Sequence, residues 1–127
     1  MPKTTQLTLT LQSKPGVLAK VARALADAGV NITALSAGDR SSSGKLRIVV
    51  NNPGRAKRAL RAAKLRANEE PAFVVRLRNK PGTVARVAEK LARARINIKS
   101  AYATTAGRSG AVVLTVSSPA KARRLLR

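Results

Sequence analysis

The first hydrophobic pattern in the chain has a period of two. Leu7, Leu9 and Leu11 alternate with polar residues, which predicts a strand with one apolar face. From residue 17 to residue 28 the spacing becomes that of an amphipathic helix. The apolar positions of this helix are Val17, Leu18, Val21, Ala22, Leu25 and Ala28. A strand followed by a helix is therefore the first predicted unit of structure.

Shorter patterns predict the elements that follow. They are a strand at residues 31–38, a hairpin connection at 39–44, a strand at 45–51 and a helix that begins at Pro53. Residues 65–70 are predicted to form a short fourth strand, which Pro71 separates from the next element. The order up to residue 70 is thus strand, helix, strand, strand, helix, strand.

Most of this sequence is used twice. A shift of 66 residues aligns residues 7–61 with 73–127 without a gap, and 21 of the 55 aligned pairs are identical. The second copy predicts strands at 72–78, 97–104 and 111–117, helices at 82–94 and 119–127, and a hairpin at 107–110. Self-similarity at one offset indicates a repeated supersecondary unit. We therefore predict two domains, residues 1–70 and residues 71–127.

The predicted order of elements is that of the ferredoxin-like α+β fold, in which an antiparallel sheet carries both helices on one face. We expect two such βαββαβ repeats side by side. The second repeat is truncated after its second helix, so it lacks its last strand. The two repeats would then supply seven strands, four from the first and three from the second.

The chemistry-bearing residues argue against catalysis. The chain has neither histidine nor cysteine, which removes the commonest general base, the thiol nucleophile and the usual zinc ligands. Its carboxylates are Asp27, Asp39, Glu69, Glu70 and Glu89, and their positions do not predict a catalytic pair. The glycines within 38–44 and 107–110 lack the spacing of a phosphate-binding loop. We predict a protein that is not an enzyme, with no catalytic residue, no metal site and no cofactor.

The charge of the chain is strongly unbalanced. It has 26 Lys and Arg against 5 Asp and Glu, a formal net charge of +21. Two interpretations stay open, a solvated basic surface and sequence-nonspecific binding of nucleic acid by a basic helical face. That face would carry Arg55, Lys57, Arg58, Arg61, Lys64, Arg66, Lys121, Arg123, Arg124 and Arg127. Recognition by stacking of bases is not expected, because Phe73 and Tyr102 are the only aromatic residues.

The sequence also suggests a cellular setting and an assembly. No apolar run approaches the ~18 residues of a membrane span, nothing resembles a signal peptide, and the lack of cysteine fits a reducing compartment. We expect a soluble cytoplasmic protein with no membrane partner. Val49, Val74 and Val113 are predicted on the sheet face away from the helices, where a second copy would cover them. We therefore expect a homodimer or a larger homo-oligomer.

The sequence Lys-Pro-Gly, at residues 14–16 and again at 80–82, is the most informative motif. Proline suits the first turn of a helix, and glycine permits a backbone conformation closed to other residues. The N-terminus of the helix behind the turn presents N–H groups that suit an anion or a carboxylate. The alternative is that proline and glycine only shape a tight turn from strand to helix.

Together, the turn, its helix and the asparagine at the next strand resemble the ACT domain, a small regulatory module with a ferredoxin-like fold. The resemblance rests on residues 14–18 with 30–32, and on residues 80–84 with 96–98. Members of this family typically bind amino acids, or other small effectors, at the seam between two modules and pass the signal to an enzyme. The resemblance implies an amino-acid-binding regulatory protein, with an enzyme on another chain as the regulated partner.

In amino-acid-binding members, the loop of one module shares a ligand with the asparagine of its partner. Carried onto this chain, one ligand site contains Ser13, Lys14, Gly16, Val17, Leu18, Asn97 and Ile98. The other contains Asn79, Lys80, Gly82, Thr83, Val84, Asn31 and Ile32. The sequence departs from the family at Ser13, which replaces the loop asparagine, and at Leu11 and Leu77, which replace a histidine of some serine-binding members. The alternative for Asn31 and Asn97 is local bonding to the backbone.

Overall fold

The structure, a computed structural model, describes residues 3–12, 14–40 and 43–126. It contains six strands and four helices in these residues, in the order that the repeated pattern predicts. They are β1 (Lys3–Gln12), α1 (Val17–Asp27), β2 (Ile32–Arg40), β3 (Ser43–Val50), α2 (Pro53–Ala62), β4 (Asn68–Arg78), α3 (Thr83–Arg93), β5 (Ile98–Ala106), β6 (Ser109–Val116) and α4 (Pro119–Leu125). This confirms the α+β class and the pair of ferredoxin-like repeats.

The chain divides into two compact units. The first, Thr5–Glu70, contains an antiparallel sheet in the order β2-β3-β1, with Leu7 opposite Ile48. Leucines at alternate positions of β1 turn one face of this sheet toward α1 and α2, as the period of two requires. Its buried core consists of Leu7, Leu9, Val21, Leu25, Val30, Leu46, Ile48, Val50, Ala56 and Leu60.

Residues 71–126 form the second unit together with Lys3 and Thr4. Its strands lie in the order β4-β6-β5, and all pairs are antiparallel. Its buried core consists of Phe73, Val75, Leu91, Ile96, Val112, Leu114, Val116, Ala122 and Leu126. The compact units follow the predicted domain boundary at residue 70 but place Lys3 and Thr4 with the second repeat. The assignment of domains to 1–70 and 71–127 stays a prediction.

The predicted break at Pro71 is wrong. Residues 68–78 form one continuous strand, β4, so six strands replace the seven that were expected. A proline is tolerated in a strand where its missing N–H is not needed for the sheet. The residues on either side of Pro71 serve different units, because Asn68–Glu70 belong to the first and the rest of β4 to the second.

The hairpin strands are longer than predicted. β2 extends to Arg40 and β3 begins at Ser43, so residues 39–40 and 43–44 lie within strands rather than in the predicted connection. In the second unit Gly107 and Arg108 alone connect β5 to β6. Cross-strand backbone hydrogen bonds therefore continue through positions whose composition is typical of turns.

The valines expected on an open sheet face are mostly covered within the chain itself. Val49 and Val113 are 5% and 4% exposed, and Val74 is half-buried. They do not form the exposed apolar face from which a homo-oligomer was predicted. None of the helices in the described part of the chain has the length and apolar composition needed to cross a membrane.

Candidate ligand-binding site

Both Lys-Pro-Gly turns end in a glycine with a left-handed backbone. Gly16 has φ 88° and is the N-cap of α1, and Gly82 has φ 91° and is the N-cap of α3. A Cβ added to either glycine would meet nothing within 4 Å. Glycine is thus required by the backbone conformation, which L-residues rarely adopt, and not by crowding within the chain.

Among the described residues, no side chain caps the N-terminus of α1. Its first intrahelical bond runs from the N–H of Lys20 to the carbonyl of Gly16 at 3.0 Å, which leaves the N–H groups of Leu18 and Ala19 at the open end. The N-terminus of α3 has the same arrangement, in which the N–H of Arg86 donates to the carbonyl of Gly82 at 3.0 Å. Such groups favour a negative charge close to the first turn of the helix.

A pocket of about 210 Å³ lies beside the first of these turns. Its walls come from the end of β1, the start of α1 and the β2–β3 hairpin. They are Leu11, Gln12, Lys14, Val17, Leu18, Ala37, Gly38, Gly44, Lys45 and Leu46. Half of these residues are Leu, Val or Ala, and two are exposed lysines. The pocket therefore combines an apolar wall with positive charge.

The pocket contains three of the residues predicted for the first site, Lys14, Val17 and Leu18. The sequence analysis did not identify the other walls, because it assigned Gly44 to a connection and gave Gly38, at the end of a predicted strand, no part in binding. The available signal was glycine next to alanine at a strand end, since glycine within a strand marks a place where another group approaches closely. In the part of the chain that the structure describes, nothing lies within 4 Å of a Cβ added to Gly38, so the space beside it is open.

The two asparagines lie at equivalent positions at the entrances of β2 and β5. The N–H of Asn31 donates to Oδ1 of Asn51 at 2.9 Å, and the N–H of Asn97 donates to Oγ of Ser117 at 3.0 Å. Local bonding therefore uses the backbone of these residues. Both residues are exposed, and within the described residues neither side-chain amide has a hydrogen-bond partner. The amides are available to a ligand.

Hydrogen bonds of Asn79 and Thr83 hold the second turn. Nδ2 of Asn79 donates to the carbonyl of Gly107 at 2.9 Å, and its N–H donates to the carbonyl of Arg108 at 2.8 Å. The hydroxyl of Thr83 donates to the carbonyl of Lys80 at 3.1 Å. Asn79, predicted as a ligand-binding residue, therefore ties the turn to the β5–β6 hairpin, and its Oδ1 and second Nδ2–H can still bond a ligand.

The remaining predicted residues occupy a range of positions. Val84 is 56% exposed on the first turn of α3, as Leu18 is 45% exposed on α1. Ile32 and Ile98 are half-buried and pack against the cores of their own units. Ser13 lies outside the described residues. Each predicted site takes its loop from one unit and its asparagine from the other, and this pairing stays a prediction.

Comparisons with known proteins give the family of the chain. A family model described as an ACT domain pair matches residues 3–126. No curated protein matches the sequence. A crystal structure of a Bacteroides thetaiotaomicron protein is 27% identical, has a TM-score of 0.92, and is matched over 98% of this chain and 86% of that one.

A more distant structure has the same fold. The ligand-free regulatory subunit of aspartate kinase from Thermus thermophilus is 24% identical, with a TM-score of 0.73 over 98% of this chain and 89% of that one. The family model spans both repeats, which agrees with the two turns, the two asparagines and the repeated order of strands and helices. The chain belongs to the ACT domain pair family.

Proposed function

We propose that this ACT domain pair binds a small effector, an amino acid, and regulates an enzyme with which it associates. The pocket beside Gly16 is the observation that carries the proposal. Its apolar wall suits an aliphatic group, whereas Lys14, Lys45 and the open end of α1 suit a carboxylate. A volume of about 210 Å³ is below the ~300–1,000 Å³ of pockets for drug-sized ligands, so a molecule of amino-acid size fits it best.

The proposal extends to two related sites at the interface of the repeats. In the first, the loop of Ser13, Lys14, Gly16, Val17 and Leu18 shares its ligand with Asn97 and Ile98. In the second, the loop of Asn79, Lys80, Gly82, Thr83 and Val84 does so with Asn31 and Ile32. The exposed amides of Asn31 and Asn97, with no partner among the described residues, support a role in binding the polar end groups of a ligand.

Association is also part of the proposal. We propose that the chain forms a homo-oligomer in the cytoplasm through strand β5, which pairs with β6 along one side. Its nine residues, Ile98–Ala106, contain no proline, and Lys99 is their one charged residue. A long strand of this kind can add a strand from another chain along its second side. The molecular mass by sedimentation tests this, and a strict monomer at high micromolar concentration would contradict it.

Thermal unfolding tests effector binding. A ligand that binds the native state alone stabilises it by about 2.7 kcal/mol at one hundred times its Kd, which corresponds to a shift of several degrees in Tm. We expect this shift with one or a few of the twenty common amino acids. Its absence with all of them would contradict an amino acid as the effector.

A variant of the pocket itself sharpens the experiment. Gly38→Val places a branched side chain in open space, at a strand position that valine tolerates well. The variant should fold and should lose much of the shift that the amino acid produces. Leu35→Val, at an exposed position of the same strand that does not line the pocket, is the matched control and should retain the shift.

A further inference from the structure

Basic side chains surround a second concavity, which is separate from the effector pocket. It lies between the C-terminal half of α2 and the segment that leads to β4, and its volume is about 460 Å³. The lining residues are Lys57, Arg61, Leu65, Arg66, Ala67 and Asn68. Three of these six side chains are cations, and Asn68 adds an amide that can donate hydrogen bonds.

The positive charge of this concavity is only partly balanced. Nζ of Lys57 lies 3.4 Å from Oε1 of Glu69. Across residues 3–12, 14–40 and 43–126, no ion pair is found for Arg61 or Arg66. Two guanidinium groups therefore line the concavity without an anionic partner from this part of the chain. Guanidinium groups match phosphate oxygens well, because their N–H donors form a planar fork.

The end of α2 carries a further cation in a strained conformation. Lys64 has φ 62°, and it follows the C-cap residue Ala63. The N–H of Lys64 donates to the carbonyl of Arg61, and the N–H of Leu65 donates to the carbonyl of Leu60 at 2.8 Å. In helices that end with this pattern of hydrogen bonds, the residue with the left-handed backbone is usually glycine. The equivalent place after α1 is Gly29. A lysine here lowers stability but adds charge beside the concavity.

Two basic residues elsewhere in the chain have partners within it. Nζ of Lys121 donates to the carbonyl of Ala94 at 2.6 Å, at the C-terminal end of α3. Arg23 pairs with Asp27 at 3.5 Å on the surface of α1. Arg61, Lys64 and Arg66 of the α2 concavity differ from these two, because none of them has such a partner among the described residues.

We propose that the concavity of Lys57, Arg61, Arg66 and Asn68, with Lys64, binds the phosphate backbone of a nucleic acid. The net charge of +21 favours a polyanion over a single small anion. The residues that line the concavity include no aromatic side chain on which a base could stack, and Phe73 is fully buried in the core. Binding is therefore to the backbone and independent of base sequence.

Fluorescence anisotropy of a labelled, mixed-sequence single-stranded oligonucleotide tests the proposal. The variant Arg61→Gln/Arg66→Gln is compared with Arg86→Gln/Arg93→Gln, which changes two exposed arginines of α3. Each variant lowers the net charge from +21 by two, to +19. We expect the α2 variant to lose about tenfold in affinity at ~0.1 M salt, and the α3 variant less than about threefold.

The salt dependence gives a second readout. Loss of two phosphate contacts should reduce the slope of log K against log salt by about 1.4 in the α2 variant, and the slope of the α3 variant should not change. Equal losses in the two variants would overturn the proposal, because they would mean attraction by the total charge alone. Competition by ATP as strong as that by unlabelled oligonucleotide, at equal phosphate concentration, would overturn the assignment to a polymer.

Lys64→Gly separates binding from folding. The change relieves the left-handed strain and removes a charge, so the variant should have a higher Tm and yet bind the oligonucleotide about threefold more weakly. A general loss of structure cannot produce this combination. Unchanged or tighter binding by Lys64→Gly would contradict the role of this residue.

Discussion

Asn31 and Asn51 join the entrance of β2 to the end of β3 by two hydrogen bonds. The N–H of Asn31 donates to Oδ1 of Asn51 at 2.9 Å, and the N–H of Asn51 donates to the carbonyl of Asn31 at 3.1 Å. In the second unit Asn97 and Ser117 have the same arrangement, at 3.0 and 2.9 Å. A side chain of residue 51 or 117 thus fixes the backbone of each asparagine and leaves its amide exposed.

This arrangement predicts the effect of two substitutions at one position. Asn51→Ala removes the acceptor for the N–H of Asn31 and should lower the free energy of unfolding by about 1 kcal/mol. Asn51→Ser should cost less, because serine serves as the acceptor at the equivalent position 117. Urea unfolding of the three proteins measures the difference. Equal losses in both variants would show that the serine oxygen does not replace the amide oxygen here.

The residues that follow α1 and α3 predict opposite effects on stability when glycine and arginine are exchanged between them. Gly29 and Arg95 are equivalent residues with φ 73° and 59°. Since a left-handed conformation costs a non-glycine residue about 1–2 kcal/mol, Arg95→Gly should stabilise the protein by about 1 kcal/mol. Gly29→Arg should destabilise it by a similar amount, because arginine would have to adopt the left-handed conformation. No clash should add to this cost, since the added Cβ meets only Nη1 of Arg55, at 3.7 Å. Thermal unfolding of both variants checks the opposite signs.

The sequence predicted most of the fold because hydrophobic residues recur with the period of a strand or of a helix in both repeats. The leucines of β1, with Val21 and Leu25 of α1, pack in the core as their spacing indicated, whereas Leu18 is 45% exposed beside the pocket. Pro71 was misleading, because a proline need not end a strand whose hydrogen bonds avoid its nitrogen. Asp39 and Gly44 misled in the opposite way, since cross-strand pairing continues through residues whose composition favours a turn.

The candidate site was predictable only in part. The helix starts at Gly16 and Gly82 follow from local sequence, because proline and glycine in this order shape a particular turn. The walls at Ala37 and Gly38 depend on the packing of the hairpin against α1, which no local pattern specifies. The structural use of Asn79 was also hidden, because its partner Gly107 is 28 residues away in the sequence.

A polar cluster within the first unit predicts that two neighbouring glutamates contribute differently to stability. Oε1 of Glu70 accepts hydrogen bonds from Nε2 of Gln6 at 2.8 Å and from the hydroxyl of Thr8 at 2.9 Å, and Gln6 is fully buried. Glu70→Ala should cost about 1–3 kcal/mol, because it removes an acceptor from buried donors. Glu69→Ala breaks only the exposed pair with Lys57 and should cost less than about 1 kcal/mol.

Urea unfolding measures both glutamate variants under the same conditions. Glu70→Gln keeps an acceptor oxygen and should lie between the wild type and Glu70→Ala. A loss in Glu69→Ala as large as that in Glu70→Ala would contradict the importance assigned to the hydrogen bonds of Gln6 and Thr8.

The proposed sharing of each ligand between the repeats predicts crossed effects. Asn31→Ala should weaken the site of the Gly82 loop, and Asn97→Ala the site of the Gly16 loop. Each change removes a hydrogen bond to a charged or polar ligand group, worth about 1.5–3 kcal/mol, so affinity at that site should fall at least about tenfold. The two variants should unfold like the wild type, because the amides have no partners among the described residues.

Calorimetry on the two asparagine variants, with the amino acid that raises Tm, measures these effects. Two sites should become one in each variant. If both variants bind as the wild type does, the asparagines are not ligand-binding residues and the proposed sites would have to be built from the loops alone.

Calorimetric titration of the wild-type chain with each of the twenty common amino acids measures effector binding itself. We predict saturable heat with at least one of them, at up to two sites per chain and with a Kd below ~1 mM, a binding free energy beyond about −4 kcal/mol. An absence of saturable heat with all twenty, up to ~10 mM ligand, would contradict the proposal that this ACT domain pair binds an amino acid.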